Sequence, residues 1–340
     1  MAQKQILVVG AGALGITCAY LLKLAGAEIS FLVRPNRVEA LSRPLRLYSY
    51  NENAVKTLDS YQVFSNTTVI SGQACDFVLL TLDGAACRSD AGVRLLSDLG
   101  KALANSNATL IIAGVGIGLF EHIKNTTGIP ESRLLEGTMA MYAYQVGRAE
   151  MPLKPPLNIT AHNSSDIAYR YYPNKPGFML TSRPGKPSKE FARLYNGCGL
   201  TQCQRVPRKI YAMFTNSFFA FTTGCDIDGW RGTDALIANR DLWHLCCQSQ
   251  REIIGLGQHG LMGRLGSLLM RDSRIEKMMR EMDADSEPLN MTAFNKFHHG
   301  GKVQSQDIQV MENCAAAGEA EGRDMSATRT LLESWREVSG

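Results

Sequence analysis

The chain has 340 residues, 45% of them apolar and 20% charged, with a formal net charge of +4. That length suffices for two domains with sizeable cores, and the composition is ordinary for a globular protein. The small, scattered positive charge argues against a nucleic-acid partner, and the longest nearly apolar run, Ala108–Phe120, is too short to span a bilayer.

The first residues enter a strand-like run at once, with no charged segment, apolar stretch and cleavage site before it. Nine cysteines occur without a CxxC pair, which reads as reduced thiols in a cytoplasmic protein. The apolar run Ile6–Val9 leads into Gly10-Ala11-Gly12-Ala13-Leu14-Gly15. A helical pattern follows, with Ile16, Ala19, Tyr20 and Leu24 on one face and Gly26 at its end; a second strand spans Ile29–Val33. A G-x-G-x-x-G turn between a strand and a helix is a dinucleotide cradle. Gly10 permits the tight turn, Gly12 lets the backbone approach a pyrophosphate, and Gly15 lets helix pack on strand. Ala13 and Leu14 complete the cradle at the helix start, where backbone N–H groups favour an anion. A glycine turn without a ligand is the alternative.

The end of the second strand selects the dinucleotide. An acid there would bond a ribose 2′-hydroxyl. This chain has "LVRPNR", with Arg34 at the tip and Arg37 close behind. A guanidinium suits a 2′-phosphate, so the expected cofactor is NADP(H); a solvated surface arginine is the other reading.

Further short apolar runs, Cys75–Leu82, Ala108–Gly118 and Arg133–Met141, alternate with helical or loop segments. The pattern predicts an α/β class: a Rossmann-type, doubly wound parallel sheet. Ligands of such sheets sit at the carboxyl ends of the strands, so Leu82, Asp83, Val115 and Tyr142 are expected near the cofactor. From Val206 onward the strand signals stop and helical patterns take over. The expected domains are therefore 1–205, binding NADP, and 206–340, an all-helical substrate or dimerisation domain.

The opening "ILVVGAGALG", the "LVRP" after the second strand and the helical second half resemble the ketopantoate reductase (2-dehydropantoate 2-reductase) family, over nearly the whole length. The resemblance implies NADPH-dependent hydride transfer to a carbonyl or C=N group of a cleft-bound substrate. It also exposes departures. The family's lysine after the fourth strand is Asp83 here, and its Asn-Gly pair after the fifth has Val115 at the Asn position. Its substrate-binding Asn is matched by Asn216, but four residues earlier, where the catalytic lysine belongs, stands Ala212. The family's C-terminal Glu falls on Ser305 or Gln306. These changes imply a divergent member that lacks the usual lysine and acts on a substrate other than ketopantoate. An imine reductase or opine-type dehydrogenase, or a non-catalytic NADP(H) sensor, remain alternatives.

Asn216 is the best-anchored candidate to contact substrate, and Lys209, two helical turns earlier, shares its face. Tyr142 and Tyr144 are expected to send one phenol toward the substrate. Trp230 and Arg231 offer a pocket wall and a carboxylate clamp. The run "FNKFHHGGKVQSQD", Phe294–Asp307, admits three readings: a metal site, a solvated turn or a substrate wall. The adjacent His298 and His299 are expected to diverge, and Asp307 lies too far along the chain to count alone, so no metal is predicted. The family resemblance favours a rebuilt substrate wall, with His299, Lys302 and Gln306 facing inward. The expected partner is a small molecule, with neither nucleic acid nor membrane, and a homodimer through the helical domain stays open.

Overall fold

The computed structural model describes residues 3–72, 74–173 and 175–339. The chain divides into two compact units, residues 1–149 with 153–207, and residues 150–152 with 208–340.

The first unit is built on an eight-stranded sheet in the order β12-β11-β8-β7-β6-β1-β2-β5. Its strands are β1 (Gln5–Val9), β2 (Glu28–Leu32), β5 (Gln62–Phe64), β6 (Phe77–Leu80), β7 (Thr109–Ile112), β8 (Leu134–Met139), β11 (Pro176–Thr181) and β12 (Gln202–Val206). All pairings are parallel except β8 with β11. The sheet's strands read as continuous apolar runs because both faces are buried. Along β1, Ile6 and Val8 enter one core, while Leu7 and Val9 enter the other. Helix α1 (Ala13–Leu24) supplies Ile16, Ala19 and Leu22 to the first core. Helices α2 (Gly84–Arg88), α3 (Asp90–Leu103) and α4 (Leu119–Thr127) cover the second, through Cys87, Leu96, Leu99, Phe120 and Ile123.

A second sheet, in the order β4-β3-β10-β9, has no counterpart among the strands expected from the sequence. It comprises β3 (Leu45–Ser49), β4 (Ala54–Leu58), β9 (Met141–Gln145) and β10 (Ile167–Tyr171). The run Arg133–Met141 thus divides: β8 ends at Met139, and after Ala140 the chain joins this second sheet. Helices α5 (Ile159–Asn163) and α6 (Gly185–Asn196) complete the unit.

The second unit contains no strand among its described residues. Its helices are α7 (Arg208–Ser217), α8 (Phe219–Ile227), α9 (Thr233–Ala238), α10 (Arg240–Ile254), α11 (Gly260–Leu269), α12 (Asp272–Ser286), α13 (Met291–Phe297), α14 (Gln304–Ala320) and α15 (Ser326–Ser339). The fold is therefore a Rossmann-type α/β unit followed by an all-helical one.

Between α13 and α14 the backbone makes one π-turn, His298–Lys302, closed by a bond from Val303 N to His298 O at 2.9 Å. Such a turn is wider than an α-turn and recurs at functional sites.

Candidate active site

Strand register assembles the candidate cofactor site of the first unit. Val9 pairs with Leu32 on one side and Leu80 on the other, and Leu80 pairs with Ile112. The carboxyl ends of four parallel strands are thereby level. The residues that follow them, Gly10, Arg34, Leu82, Asp83 and Val115, lie along one edge of the sheet. The chain leaves β1 for β2 and returns to β6 on the opposite side of β1, which makes this edge the topological switch point where nucleotides bind.

Gly10 has φ +96°, which favours glycine. A Cβ on Gly15 would stand 2.8 Å from Gly10 O and 2.9 Å from Thr81 Oγ1, so the turn closes only around a glycine there. Gly12 is the N-cap of α1, makes no side-chain cap bond, and would have nothing within 4 Å of its Cβ. The uncapped start, with Ala13 buried and Leu14 half-buried behind it, leaves backbone N–H groups for an anion. Arg34 is exposed and forms no ion pair among the described residues. The residues present therefore fit a nicotinamide dinucleotide. Asp83 is committed locally: it caps α2 by accepting from Ala86 N at 2.7 Å. Val115 is half-buried in the loop after β7, where Gly114 approaches Leu82 O so closely that a Cβ would lie at 2.9 Å.

In the second unit, Asn216 occupies the last turn of α7 and is 4% exposed. Its side chain makes no hydrogen bond among the described residues, and none of its polar atoms is sealed from solvent. Phe218 is the joint to α8, and the rings of Phe218 and Phe219 lie 5.6 and 6.4 Å from that of His299. His299 Nδ1 stands 2.6 Å from Asp307 Oδ2. The expectation that Asp307 is too distant is corrected: the π-turn shortens the path and α14 brings the carboxylate beneath the ring. Nor do the two histidines diverge, since their rings meet edge to face at 4.8 Å. His298 also stacks on Phe294. Burial, reinforced by His299 and Lys302, pushes the His298 pKa down to about 3. Burial pushes the Asp307 carboxyl up, against the pull of His299 and Gln306.

Residues 6–161 match the family model ketopantoate reductase PanE/ApbA. Over that segment the chain is similar to the ketopantoate reductase family. No curated protein matches the chain. Among solved structures, 2-dehydropantoate 2-reductase from Geobacter metallireducens GS-15 shares the fold at TM-score 0.68 and 18% identity, with 98% of this chain and 99% of that one covered. Dimeric ketopantoate reductase from Staphylococcus aureus does so at 0.62 and 13%, covering 99% and 100%. D-mandelate dehydrogenase, in a ternary structure with NADH and anilino(oxo)acetate, does so at 0.61 and 13%, covering 98% and 97%. At these identities the likeness is one of fold.

On this frame the remaining candidates scatter. Tyr142 and Tyr144, two apart on β9, share a face, and both are buried rather than divided between two environments. Tyr142 Oη meets Tyr172 Oη at 2.6 Å, and Tyr144 Oη meets Tyr50 Oη and His162 Nε2 at 2.5 and 2.7 Å. Arg231 is ion-paired with the buried Asp228. Lys209 is exposed on the first turn of α7, its ammonium beside Gly260. Lys302 is exposed, and Gln306 is half-buried on the first turn of α14. Trp230 packs against the π-turn, where a Cβ on Gly300 would lie 2.6 Å from its Nε1. That nitrogen donates to Asp226 Oδ1 at 2.7 Å, while Gln304 and Trp335 donate to Oδ2 at 2.6 and 2.7 Å.

Sequence reasoning missed Thr81, Asp226 and Asp307. Thr81 sits in an apolar strand run and shows no motif. Asp226 carries no spacing signal toward residues 78 and 109 positions later. For Asp307 the spacing gave no signal either: eight residues of regular helix would leave it about 12 Å along the axis from His299.

Proposed function

We propose that the protein is an NADPH-dependent reductase acting on the carbonyl of a small 2-oxo-acid or β-keto substrate other than ketopantoate. The observation that carries the reading is the uncapped start of α1 on the same sheet edge as the unpaired Arg34. The backbone of Gly10–Gly15 binds the pyrophosphate, and Arg34 grips the 2′-phosphate through charge-assisted bonds that NADH cannot make. Leu82, Asp83 and Val115 border the same cofactor, Asp83 by shaping the loop it caps.

The bound cofactor supplies a hydride. The chain holds the acceptor: the open amide of Asn216 hydrogen-bonds the substrate, and the π-turn residues His299, Lys302 and Gln306 form its wall. Lys302 contributes a positive charge that favours an anionic substrate. Lys209, Trp230 and Arg231, of the same helical unit, act around that site through charge or shape. The oxoacetate derivative held with NADH by a fold neighbour supports a 2-oxo acid over other carbonyls. A buried acid paired with histidine supports C=O over C=N, because an imine nitrogen is often protonated before hydride arrives and needs no donor.

The exposed residues Leu261, Met262, Leu265, Leu268 and Leu269 form one apolar stripe on α11. They support a homodimer through the helical unit, as does the dimeric fold neighbour. Monomers in sedimentation at micromolar concentration would refute that assembly. For the activity, loss of NADPH absorbance is followed against a panel of 2-oxo acids, β-keto acids and cyclic imines. Turnover of the oxo acids is expected; turnover of the imines alone would replace the carbonyl reading.

A further inference from the structure

We propose that Arg88 is a positioning residue for the cofactor: its guanidinium clasps the loop after β7 to the helix after β6, and so fixes the rim on which the nicotinamide half rests. The inference rests on the dinucleotide reading and lies wholly within the first unit.

The loop after β7 needs an anchor. β7 ends at Ile112 and α4 begins at Leu119, and three of the six residues between them are glycines. Gly116 has φ +138° and Gly118 φ +72°, so Ile117 sits between two joints that only glycine makes easily. The near part of the loop is held by close approach, since a Cβ on Gly114 would stand 2.9 Å from Leu82 O and 3.6 Å from Gly84 N. The far part is open: nothing lies within 4 Å of a Cβ on Gly118. Arg88 supplies the hold there. Its Nη2 donates to Ile117 O at 2.9 Å, and its Nη1 to Gly84 O at 3.4 Å.

The clasp is answered from the other side. His122 of α4 donates through Nε2 to Cys87 O at 3.1 Å; a carbonyl only accepts, which places the proton on that nitrogen. Arg88 of α2 thus reaches the start of α4, and His122 of α4 reaches the end of α2. The base on which Arg88 stands is itself fixed. Asp83 caps the start of α2, and Ser89 at its end donates to Ala86 O at 2.8 Å and accepts from Gly92 N at 3.1 Å, which joins α2 to α3.

Place distinguishes this arginine from a structural one. Arg133 makes the same kind of bonds, to Ala108 O and Leu103 O at 2.9 Å each. Ala108 and Arg133 directly precede β7 and β8, so that clasp lies at the amino edge of the sheet, away from the edge where such sheets bind ligands. Arg88 works at the carboxyl edge, level with the glycine turn through the pairs Val9–Leu80 and Leu80–Ile112. Arg34 follows β2, on one side of β1, and marks the adenosine half. β6 and β7 lie on the other side of β1 and take the nicotinamide half. A loop held in its binding shape only part of the time lowers affinity by that fraction.

The test compares wild type, Arg88→Ala and Arg133→Ala by calorimetry with two probes, NADPH and adenosine 2′,5′-bisphosphate. The second probe carries the phosphate for Arg34 but no nicotinamide half. Arg88 is exposed, so its truncation leaves the core intact. Arg88→Ala is expected to weaken NADPH about ten-fold, as a loop in its binding shape about a tenth of the time would, and to leave the bisphosphate within about two-fold. Arg133→Ala should leave both probes within about two-fold, because its clasp lies at the other edge. Hydrogen exchange over residues 113–119 should rise in free Arg88→Ala and return to wild-type protection when NADPH saturates it. Three results would overturn the clasp alone: NADPH affinity unchanged in Arg88→Ala, equal weakening of both probes, or unchanged exchange in the free variant. Wild-type protein that fails to bind NADPH would overturn the clasp together with the dinucleotide reading.

Discussion

The hydroxyl of Thr81 lies 3.0 Å from the carbonyl of Val9 and 3.0 Å from that of Gly10, pinning the loop after β6 to the glycine turn after β1. Its oxygen also fills the space beside Gly15. Thr81→Val should keep the packing and lose the bonds, lowering unfolding free energy by about 0.5–1.5 kcal/mol. NADPH affinity should fall several-fold, because the cradle is no longer held in its binding shape. Thr81→Ser should restore both. Equal NADPH affinities for wild type and Thr81→Val by calorimetry would show that the turn holds itself.

Arg34 should set the choice between the two dinucleotides. In wild type NADPH is expected to bind well ahead of NADH. Arg34→Ala should cost about 1.5–3 kcal/mol of NADPH binding, the scale of hydrogen bonds to a charged group, and leave NADH nearly unchanged. Wild-type affinities that do not differ would remove the argument from the missing acid.

His298 gives the helical unit an acid sensitivity. Its native pKa is depressed to about 3 by burial, with the charges of His299 and Lys302 adding to it. The unfolded chain takes up a proton near pH 6.5, and the native one resists until far lower pH. The stability of the neutral ring is thus fully present above about pH 6.5 and drains away as the solution is acidified toward pH 3. The slope is at most about 1.4 kcal/mol per pH unit. His298→Phe keeps the stack on Phe294 and removes the titration. Between pH 7.5 and pH 5, wild type should lose about 2 kcal/mol more than this variant in denaturant unfolding. The rest of the turn is common to both proteins, so the difference between them reads His298.

The sequence makes the first unit's frame legible because its signals are local. A β-rich run, three glycines at fixed spacing and an amphipathic helix specify one another within about thirty residues. The second sheet is not legible that way. Leu45–Ser49 and Ile167–Tyr171 pair across more than a hundred residues. Tyr48, Tyr144 and Tyr169 give their strands a mixed pattern, because their hydroxyls are buried with the rings. The site in the second unit fails for a different reason. Helical periodicity from Met291 to Ala320 hides the π-turn, and only that turn brings Asp307 to His299. The exposed Lys209 and the paired Arg231 show the converse: charge type and position along the chain do not reveal which cations are already engaged.

Ketopantoate should be a poor substrate. Asp83 caps α2, Val115 offers no polar side chain, and Ala212 cannot donate a proton. Losing a general acid alone costs about 10²–10⁴ in rate. Ketopantoate turnover at roughly 1–1000 per second, the ordinary range for enzymes, would mean that these departures are compensated.

Gly300 should tolerate no side chain while Trp230 is present. A Cβ there would stand 2.6, 2.8 and 3.0 Å from Nε1, Cε2 and Cζ2 of the indole. The ring cannot tilt away cheaply, because its N–H is bonded to Asp226, which also holds Gln304 and Trp335. Gly300→Ala is therefore expected to cost about 1–3 kcal/mol, the usual range for overpacking. Gly300 is not at positive φ, so the penalty is steric rather than conformational. Trp230→Phe shortens the ring and removes the donor, at its own cost of a cavity and a hydrogen bond. In the double variant the added methyl enters the space vacated by the larger ring. The two losses should then sum to less than their parts by about 0.5–3 kcal/mol, the range found for residues in direct contact. Denaturant unfolding of the four proteins measures that coupling. Additive losses would mean that Gly300 and Trp230 do not press on one another, and that something else shapes the π-turn beneath His299.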